Sequence, residues 1–142
     1  AYAARASAFH LLGKTKEAIS DAEKSIQLDP KNPKAYFVLG NIYSETDRLN
    51  EAMIQYNTSI ALKDDEPDFY FKRAITRGKM QKFKECIADL DLCLRLNPGY
   101  YEAWYWKGVA KVNLNQNPCE DFRIASRHNY QPAITAAQQY CR

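Results

Sequence analysis

The side chains in this sequence best suited to catalysis or metal binding are two histidines and four cysteines. Nucleophilic catalysis needs a serine, cysteine or carboxylate beside a histidine, and no spacing around His10 or His128 indicates such a triad. The cysteines form no CxxC pair, and the chain has no glycine-rich phosphate-binding loop. The cysteines are Cys86, Cys93, Cys119 and Cys141. The sequence therefore predicts no active site, no metal site and no cofactor.

Basic residues form a second group that could bind a ligand. The stretch KRAITRGKMQKFK, residues 72–84, carries six basic side chains among aromatic ones, a pattern found on surfaces that bind nucleic acids. The acidic stretch DDEPD at 64–68 offsets much of that charge, and the whole chain of 142 residues has a formal net charge of only +3. We therefore interpret residues 72–84 as a solvated helix end, with nucleic-acid binding as the disfavoured alternative.

Aromatic residues are concentrated in GYYEAWYWKG, residues 99–108. Aromatic rings can stack on a ligand or fill a core, so this segment permits two interpretations. With 46% hydrophobic and 26% charged residues the composition is that of an ordinary soluble domain. No apolar run approaches the ~18 residues of a membrane span, so membrane insertion is not expected.

An internal repeat of 34 residues places these aromatics in a larger pattern. A shift by that period superimposes AWY at 103–105 on FYF at 69–71, AYF at 35–37 and AYA at 1–3. One aligned column holds Tyr2, Tyr36, Tyr70 and Trp104, and a second holds Ala6, Gly40, Ala74 and Gly108. Because the first column lies on the face that packs between helices, Trp104 is predicted to belong to the core.

Within each repeat the spacing of apolar residues is helical. Tyr36, Leu39 and Tyr43 stand at i, i+3 and i+7, on one face of a first helix, and a second helix follows in the same repeat. Pro33 and Pro67 suit first-turn positions, where a missing N–H has no helical partner to lose. The predicted helices span about 1–12, 15–28, 33–46, 49–62, 67–80, 83–96, 101–114, 118–127 and 132–141. No strand is predicted.

The motif residues are Tyr36, Leu39, Gly40, Tyr43, Ala52 and Tyr56 in the second repeat, and Tyr70, Ala74, Cys86, Leu90 and Pro98 in the third. This pattern resembles the tetratricopeptide repeat. The resemblance implies an all-α fold, an α-solenoid with a right-handed superhelix, built from about three and a half helical hairpins and a capping helix. The implied repeats are 1–32, 33–66, 67–100 and 101–129, followed by the capping helix at 132–141. The fourth repeat keeps phase only if two residues are deleted near NQNP.

The resemblance also implies a binding surface. In this family the first helices of the repeats line a concave groove that binds peptides, and the column Phe37, Phe71 and Tyr105 lies on that face. Neighbouring groove positions are Lys34, Asn41, Asp68, Lys72, Ile75, Glu102, Trp106 and Val109. We therefore expect a scaffold that binds a protein or peptide through aromatic and apolar side chains. The alternative is that the three aromatics pack only against one another.

Two characterised groove chemistries of the family are not indicated here. The positions of the clamp that grips chaperone tails carry no cationic set in this sequence. The asparagine ladder of O-GlcNAc transferase arrays is replaced by Val38, Lys72 and Trp106. The alternatives left open are an RNA-binding helical repeat and the regulatory repeat region of a larger enzyme such as a glycosyltransferase.

One pair of columns predicts structural ion pairs. Basic residues on the first helices align as Arg5, Arg73 and Lys107, and acidic residues on the second helices align as Asp21, Asp89 and Asp121. In the second repeat both positions change together, to Leu39 and Gln55. Because a charge appears and disappears with its partner, we expect an ion pair inside each charged hairpin and no catalytic acid among these residues.

Cys119 and Cys141 stand near the start and the end of the last two predicted helices. Antiparallel helices of similar length bring these ends together, within the roughly 4.4–6.8 Å between Cα atoms that a disulfide requires. The alternative is a free Cys119 whose thiolate is favoured by the helix N-terminus. Similar terminal segments with two cysteines resemble those of bacterial envelope repeat proteins, so a disulfide favours the periplasm or cell envelope and a free thiol the cytoplasm.

The first residues, AYAARASAF, have the composition of a helix interior without a preceding cap. We therefore expect the chain to be a fragment of a longer protein. The sequence specifies neither the parent protein, the partner nor the oligomeric state.

Overall fold

The computed structural model describes residues 2–141, and over that range the chain forms nine α-helices and no strand. The helices are α1 Tyr2–Leu11, α2 Thr15–Leu28, α3 Pro33–Glu45, α4 Leu49–Leu62, α5 Pro67–Lys79, α6 Phe83–Leu96, α7 Tyr101–Asn113, α8 Cys119–Ser126 and α9 Gln131–Tyr140. Inside the described range each bound lies within one residue of the bound predicted from the sequence. The fold is all-α and of the solenoid class, as predicted.

The turn inside each hairpin has the same backbone conformation in all four repeats. Gly13, Asp47, Gln81 and Asn115 are spaced by the repeat period and have φ values of 75°, 64°, 61° and 57°. A left-handed residue at this point reverses the chain after one helix, and the next helix begins two residues later in the first three repeats and four residues later in the fourth. Glycine, asparagine and aspartate tolerate that conformation best, so Gln81 is the least favourable of the four.

The chain divides into two compact units between Asp65 and Glu66. The N-terminal unit holds α1 to α4, and its core is a cluster of small and aromatic side chains from all four helices. The buried members are Ala6, Ala18, Ala22, Val38, Leu39, Ile42, Tyr43, Ala52 and Tyr56. This core lies on the helix faces that the repeat columns predict.

The C-terminal unit holds α5 to α9. Its largest fully buried side chains include Leu90 of α6 and Phe122 of α8. The last helix, α9, packs on α8 and buries only Ala133 and Ala136. The terminal helix is therefore held by a small apolar contact area.

Close approach within a hairpin explains the glycines of the small-residue column. A Cβ atom on Gly40 would lie 2.8 Å from Cε1 of Tyr56, and one on Gly108 would lie 2.6 Å from Cδ1 of Phe122. Both aromatic rings are fully buried. In the first and third repeats the column holds alanine, and the position of the ring holds Ala22 or Leu90. Glycine therefore stands where an aromatic ring crosses the helix, and alanine where an aliphatic side chain does.

Candidate functional site

An apolar pocket of about 260 Å³ lies among α5, α6 and α7 of the C-terminal unit. It contains three residues that the sequence assigns to the binding groove, which are Ile75, Trp106 and Val109. The complete lining is Ile75, Gly78, Lys79, Phe83, Cys86, Trp106, Val109 and Ala110. A pocket of this size and polarity suits one apolar side chain of a ligand.

A second pocket of about 670 Å³ lies between α7 and the two last helices of the same unit. It is lined by Tyr105, Val109, Val112, Asn113, Phe122, Gln131, Pro132, Thr135, Ala136, Gln139 and Tyr140. Tyr105 and Val109 were predicted to line the groove, whereas the residues of α9 were not. Val109 lines both pockets, so the two adjoin along α7.

The N-terminal unit has a smaller pocket of about 190 Å³ between α1 and α3. Asn41 is the predicted groove residue that lines it, and its amide oxygen accepts a hydrogen bond of 2.7 Å from the hydroxyl of Tyr56. His10 and Glu45 also line it, and the imidazole of His10 is hydrogen-bonded to the carboxylate of Glu45. This pocket is more polar than the apolar pocket among α5, α6 and α7.

The predicted aromatic column is less exposed than the sequence implies. Phe37 is half-buried, and its ring centroid lies 6.0 Å from that of Tyr56. Phe71 is only 5% exposed, so the expectation that it presents a free ring is wrong. The cause is Tyr100, whose ring covers Phe71 with centroids 4.8 Å apart.

Tyr105 is the member of the column that lies in a pocket. It is half-buried, and its ring contacts those of Trp106, Phe122 and Tyr130 at centroid distances of 5.1, 5.8 and 5.3 Å. These contacts hold the ring in place while one side lines the pocket beside α9.

The four charged residues predicted for the groove lie outside the three pockets. They are Lys34, Asp68, Lys72 and Glu102. The carboxylate of Asp68 accepts a hydrogen bond of 2.7 Å from the hydroxyl of Tyr100. Burial of Tyr100 raises the pKa of that phenol, and the hydrogen bond to Asp68 raises it further. Asp68 therefore positions the ring that covers Phe71.

Trp104 differs from its prediction as a core residue. The side chain is half-buried, and its indole N–H donates a hydrogen bond of 3.0 Å to the carbonyl of Pro98. Tyr36 stands in the same column two repeats earlier and does the same, donating from its hydroxyl to the carbonyl of Pro30 at 2.9 Å. Each of these side chains is hydrogen-bonded to the turn that precedes its own helix. To reach that turn, one edge of the ring lies at the surface while its face packs against the protein.

Two of the three predicted ion pairs are close and bidentate. Nε of Arg5 donates to the carboxylate of Asp21 at 2.6 Å, and Nη2 of Arg73 donates to that of Asp89 at 2.7 Å. The hydrogen bond from Arg5 lowers the pKa of the Asp21 carboxyl. Asp89 also accepts a hydrogen bond of 2.9 Å from Arg77, which the sequence analysis did not assign. The carboxylate of Asp89 is therefore held by two guanidinium groups.

The third predicted ion pair is present but long, and each of its members has a closer partner. The Nζ atom of Lys107 lies 2.8 Å from the carboxylate of Asp91 and 4.0 Å from that of Asp121. The close partner of Asp121 is Lys111, at 2.7 Å. Lys111 stands one helical turn after Lys107, and one repeat period after Arg77. A second basic column, Arg77 and Lys111, was therefore the signal that could have revealed both additional partners.

The cysteines form two groups. Cys119 and Cys141 are joined by a disulfide, with Cα atoms 5.5 Å apart. Cys86 and Cys93 are buried thiols, and burial raises their pKa values to about 11 and about 12.

Across residues 2–141 no three His, Cys, Asp or Glu side chains are grouped so as to hold a metal ion. Within the same range no helix is long and apolar enough to cross a bilayer.

Comparison with known protein families gives matches over much of the chain. Two family profiles, both described as tetratricopeptide repeat, match residues 10–75 and 67–100. The tetratricopeptide repeat-containing protein trd-1 of Caenorhabditis elegans is 26% identical over 111 residues, or 76% of this chain and 14% of that protein. Small glutamine-rich tetratricopeptide repeat-containing protein 2 of Mycosarcoma maydis is 32% identical over 77 residues, or 54% of this chain and 21% of that protein. The chain therefore spans a small part of the length of these curated relatives.

Solved structures of similar fold include MamA and a domain of RPAP3. A crystal structure of MamA superimposes with a TM-score of 0.84 at 18% identity, covering 91% of this chain and 78% of that chain. The first such repeat domain of RPAP3, solved with the HSP90 peptide SRMEEVD, superimposes with a TM-score of 0.78 at 24% identity, covering 81% of this chain and 91% of that chain. At these identities the similarity is one of fold.

Proposed function

The chain belongs to the tetratricopeptide repeat family, and from that premise we propose that it is a protein-interaction scaffold that binds a peptide or protein segment in the C-terminal unit. The proposed binding surface is the face of α7 that carries Tyr105, Trp106 and Val109. The role is one of binding, without chemistry of its own.

This proposal rests on one observation: the two pockets of the C-terminal unit adjoin at Val109. A single apolar side chain of a ligand fits the smaller pocket, and the larger pocket offers room for several more residues. Peptide recognition commonly uses such a series of pockets, with one or two apolar anchors supplying most of the affinity. Trp106 and Tyr105 are suited to this role because aromatic rings bury a large area with few rotatable bonds.

The similar domain of RPAP3 was solved with a bound peptide, which supports peptide binding by this chain. The chemistry of that peptide, however, differs from the chemistry that the two pockets of this chain favour. The peptide bound to that domain, SRMEEVD, ends in a strongly acidic stretch. The pockets proposed here are apolar, and Lys79 is the one charged side chain among the residues that line those two pockets. We therefore expect this chain to bind an apolar segment in preference to an acidic tail.

The contacts of the basic residues in 72–84 make nucleic-acid binding a weaker alternative than the sequence alone suggests. Two of the six basic residues in 72–84, Arg73 and Arg77, donate to the buried carboxylate of Asp89. The single carboxylate offsets one of these two charges and fixes both guanidinium groups within the hairpin, which weakens the electrostatic surface available to phosphates. Binding of single-stranded RNA that weakens steeply with salt would favour this alternative again.

A charge placed at the junction of the two pockets tests the proposal. Peptides that bind the folded protein are selected from a displayed library, and their affinity is measured by fluorescence anisotropy for Val109→Asp and for the control Ile54→Asp. Ile54 is an apolar residue on α4 that is 61% exposed. We expect at least a tenfold loss for Val109→Asp, about 1.4 kcal/mol, and no loss for Ile54→Asp. Equal affinities of Val109→Asp and the unmodified protein would refute the proposed surface.

A further inference from the structure

The pocket between α7 and α9 has an uncharged lining. Its side chains are aromatic, aliphatic, amide or hydroxyl groups, and none of the eleven residues that line it is an acid or a base. A charged group entering such a pocket loses hydration without gaining an opposite charge. Amide side chains, by contrast, can donate to and accept from the backbone of a peptide. The amides are those of Asn113, Gln131 and Gln139.

One wall of this pocket is the capping helix α9. Its lining residues extend along the whole helix, from Gln131 and Pro132 in the first turn to Gln139 and Tyr140 in the last. A helix that only shields the end of a repeat array needs one buried face. Here the same helix presents a second face to a pocket, so its position determines the shape of that pocket.

The two ends of α9 are held by different contacts. At its start the ring of Tyr130 packs between those of Tyr101 and Tyr105, at centroid distances of 5.2 and 5.3 Å. At its end Tyr140 lies at the edge of Phe122, with centroids 6.1 Å apart, and is itself 49% exposed. The firm attachment of the last turn is therefore the disulfide at Cys141.

We propose that the pocket between α7 and α9 binds an extended, uncharged and apolar peptide segment, and that the disulfide between Cys119 and Cys141 makes this binding dependent on redox state. The inference rests on the proposed function and adds to it the class of ligand and a condition for binding. With the disulfide closed, the last turn of α9 completes the pocket. With the disulfide open, Tyr130, Ala133 and Ala136 still hold the first part of α9, but the last turn keeps only the half-exposed ring of Tyr140 against Phe122, so the wall formed by Gln139 and Tyr140 loosens.

The redox step balances with a dithiol as the reductant. A thiolate of the dithiol attacks one sulfur of the disulfide, and its second thiol displaces the protein from the mixed disulfide. Two electrons pass to the protein, Cys119 and Cys141 each take up one proton as thiols, and the dithiol becomes a cyclic disulfide. Cys86 and Cys93 are thiols before and after the reaction, so they do not contribute to the difference.

The test compares oxidised and reduced protein with one probe. The probe is the strongest binder from a displayed library of uncharged nine-residue peptides, selected against the oxidised protein and carrying a fluorescent label. We expect its affinity to fall at least tenfold on reduction with dithiothreitol, and to fall equally in Cys119→Ser. Hydrogen exchange should accelerate in residues 131–140 and remain unchanged in α5 to α7. Equal affinity in both redox states would overturn the inference while leaving the proposed function intact.

A pair of adjacent glutamines tests the pocket without opening the disulfide. Gln139 lines the pocket and Gln138 does not, although both are exposed and both lie in the last turn of α9. We expect Gln139→Asp to weaken binding of the probe at least tenfold and Gln138→Asp to leave it unchanged, with equal helicity. Equal binding by the two variants would overturn the site, and failure of every library peptide to bind the oxidised protein would overturn the proposed function with it.

Discussion

The contact between Gly108 and Phe122 allows a quantitative test of how tightly the fourth hairpin is packed. In Gly108→Ala the new Cβ atom would lie 2.6 Å from Cδ1 of the Phe122 ring. An ordinary contact is about 3.4 Å, and Cε1 of the same ring would be closer still than Cδ1, so the ring or the helix must move by roughly 1 Å. Phe122 is 1% exposed, and its ring lies against those of Tyr105 and Tyr140, so it cannot turn without displacing them.

The expected cost follows from two opposing effects. Overpacking of a close-packed site costs about 1–3 kcal/mol, whereas replacing glycine by alanine inside a helix stabilises it by up to about 1 kcal/mol. We therefore expect Gly108→Ala to lower the free energy of unfolding by about 1–2 kcal/mol. The measurement is urea denaturation followed by circular dichroism at the helical minimum.

Gly78→Ala is the matched control. Gly78 also lies in a first helix, but an added Cβ atom would meet only the Sγ atom of Cys86 at an ordinary 3.7 Å. This variant should be as stable as the unmodified protein or slightly more so. The double variant Gly108→Ala with Phe122→Leu copies the third repeat and should recover part of the loss. If Gly108→Ala is as stable as Gly78→Ala, the steric argument is wrong.

Three further predictions concern a buried carboxylate, the buried thiols and the disulfide. Asp89→Ala leaves two guanidinium groups without their carboxylate and should cost about 3 kcal/mol or more. Glu51→Ala removes an exposed ion pair with Arg48 and should cost less than about 0.5 kcal/mol; equal losses in urea denaturation would contradict this difference. Because burial raises the pKa values of Cys86 and Cys93 to about 11 and about 12, neither thiol should react with iodoacetamide in the native protein at pH 8, and their labelling should increase as the pH rises towards 11. Denatured, unreduced protein should show two thiols by the same reagent, and four would contradict the disulfide.

The helices were predictable because each depends on local chemistry that repeats. Proline at the first turn of α3 and α5, a left-handed residue between paired helices, and apolar residues at helical spacing occur at the same positions in successive repeats. Covariation of charge likewise identified the partners of Asp21 and Asp89 before any geometry was known. Such agreement between local signals and the fold is typical of natural sequences.

The features that the sequence did not predict depend on tertiary contacts, which the aligned columns of the repeats do not contain. Phe71 is in the same column as Tyr105, but Phe71 is buried beneath Tyr100, whose hydroxyl donates a hydrogen bond to Asp68 of α5. Asp121 lies closer to Lys111 than to Lys107, and the nearest carboxylate to Lys107 is that of Asp91 in the preceding hairpin, a contact that the columns of a single hairpin do not contain. The pocket beside α9 involves a helix outside the repeat pattern, so periodicity alone could not predict it.

The short sequence separation of the ion pairs has a consequence for how the chain acquires its structure. Arg5 and Asp21, like Arg73 and Asp89, are 16 residues apart, so each pair can form as soon as its own hairpin exists. Contacts between residues close in sequence form rapidly, because little chain entropy is lost in closing the intervening loop. A ribosome adds about 5–20 residues per second, which is far slower than the closing of such a loop. The first and third hairpins can therefore close, and neutralise the buried carboxylates of Asp21 and Asp89, without waiting for contacts from the other repeats.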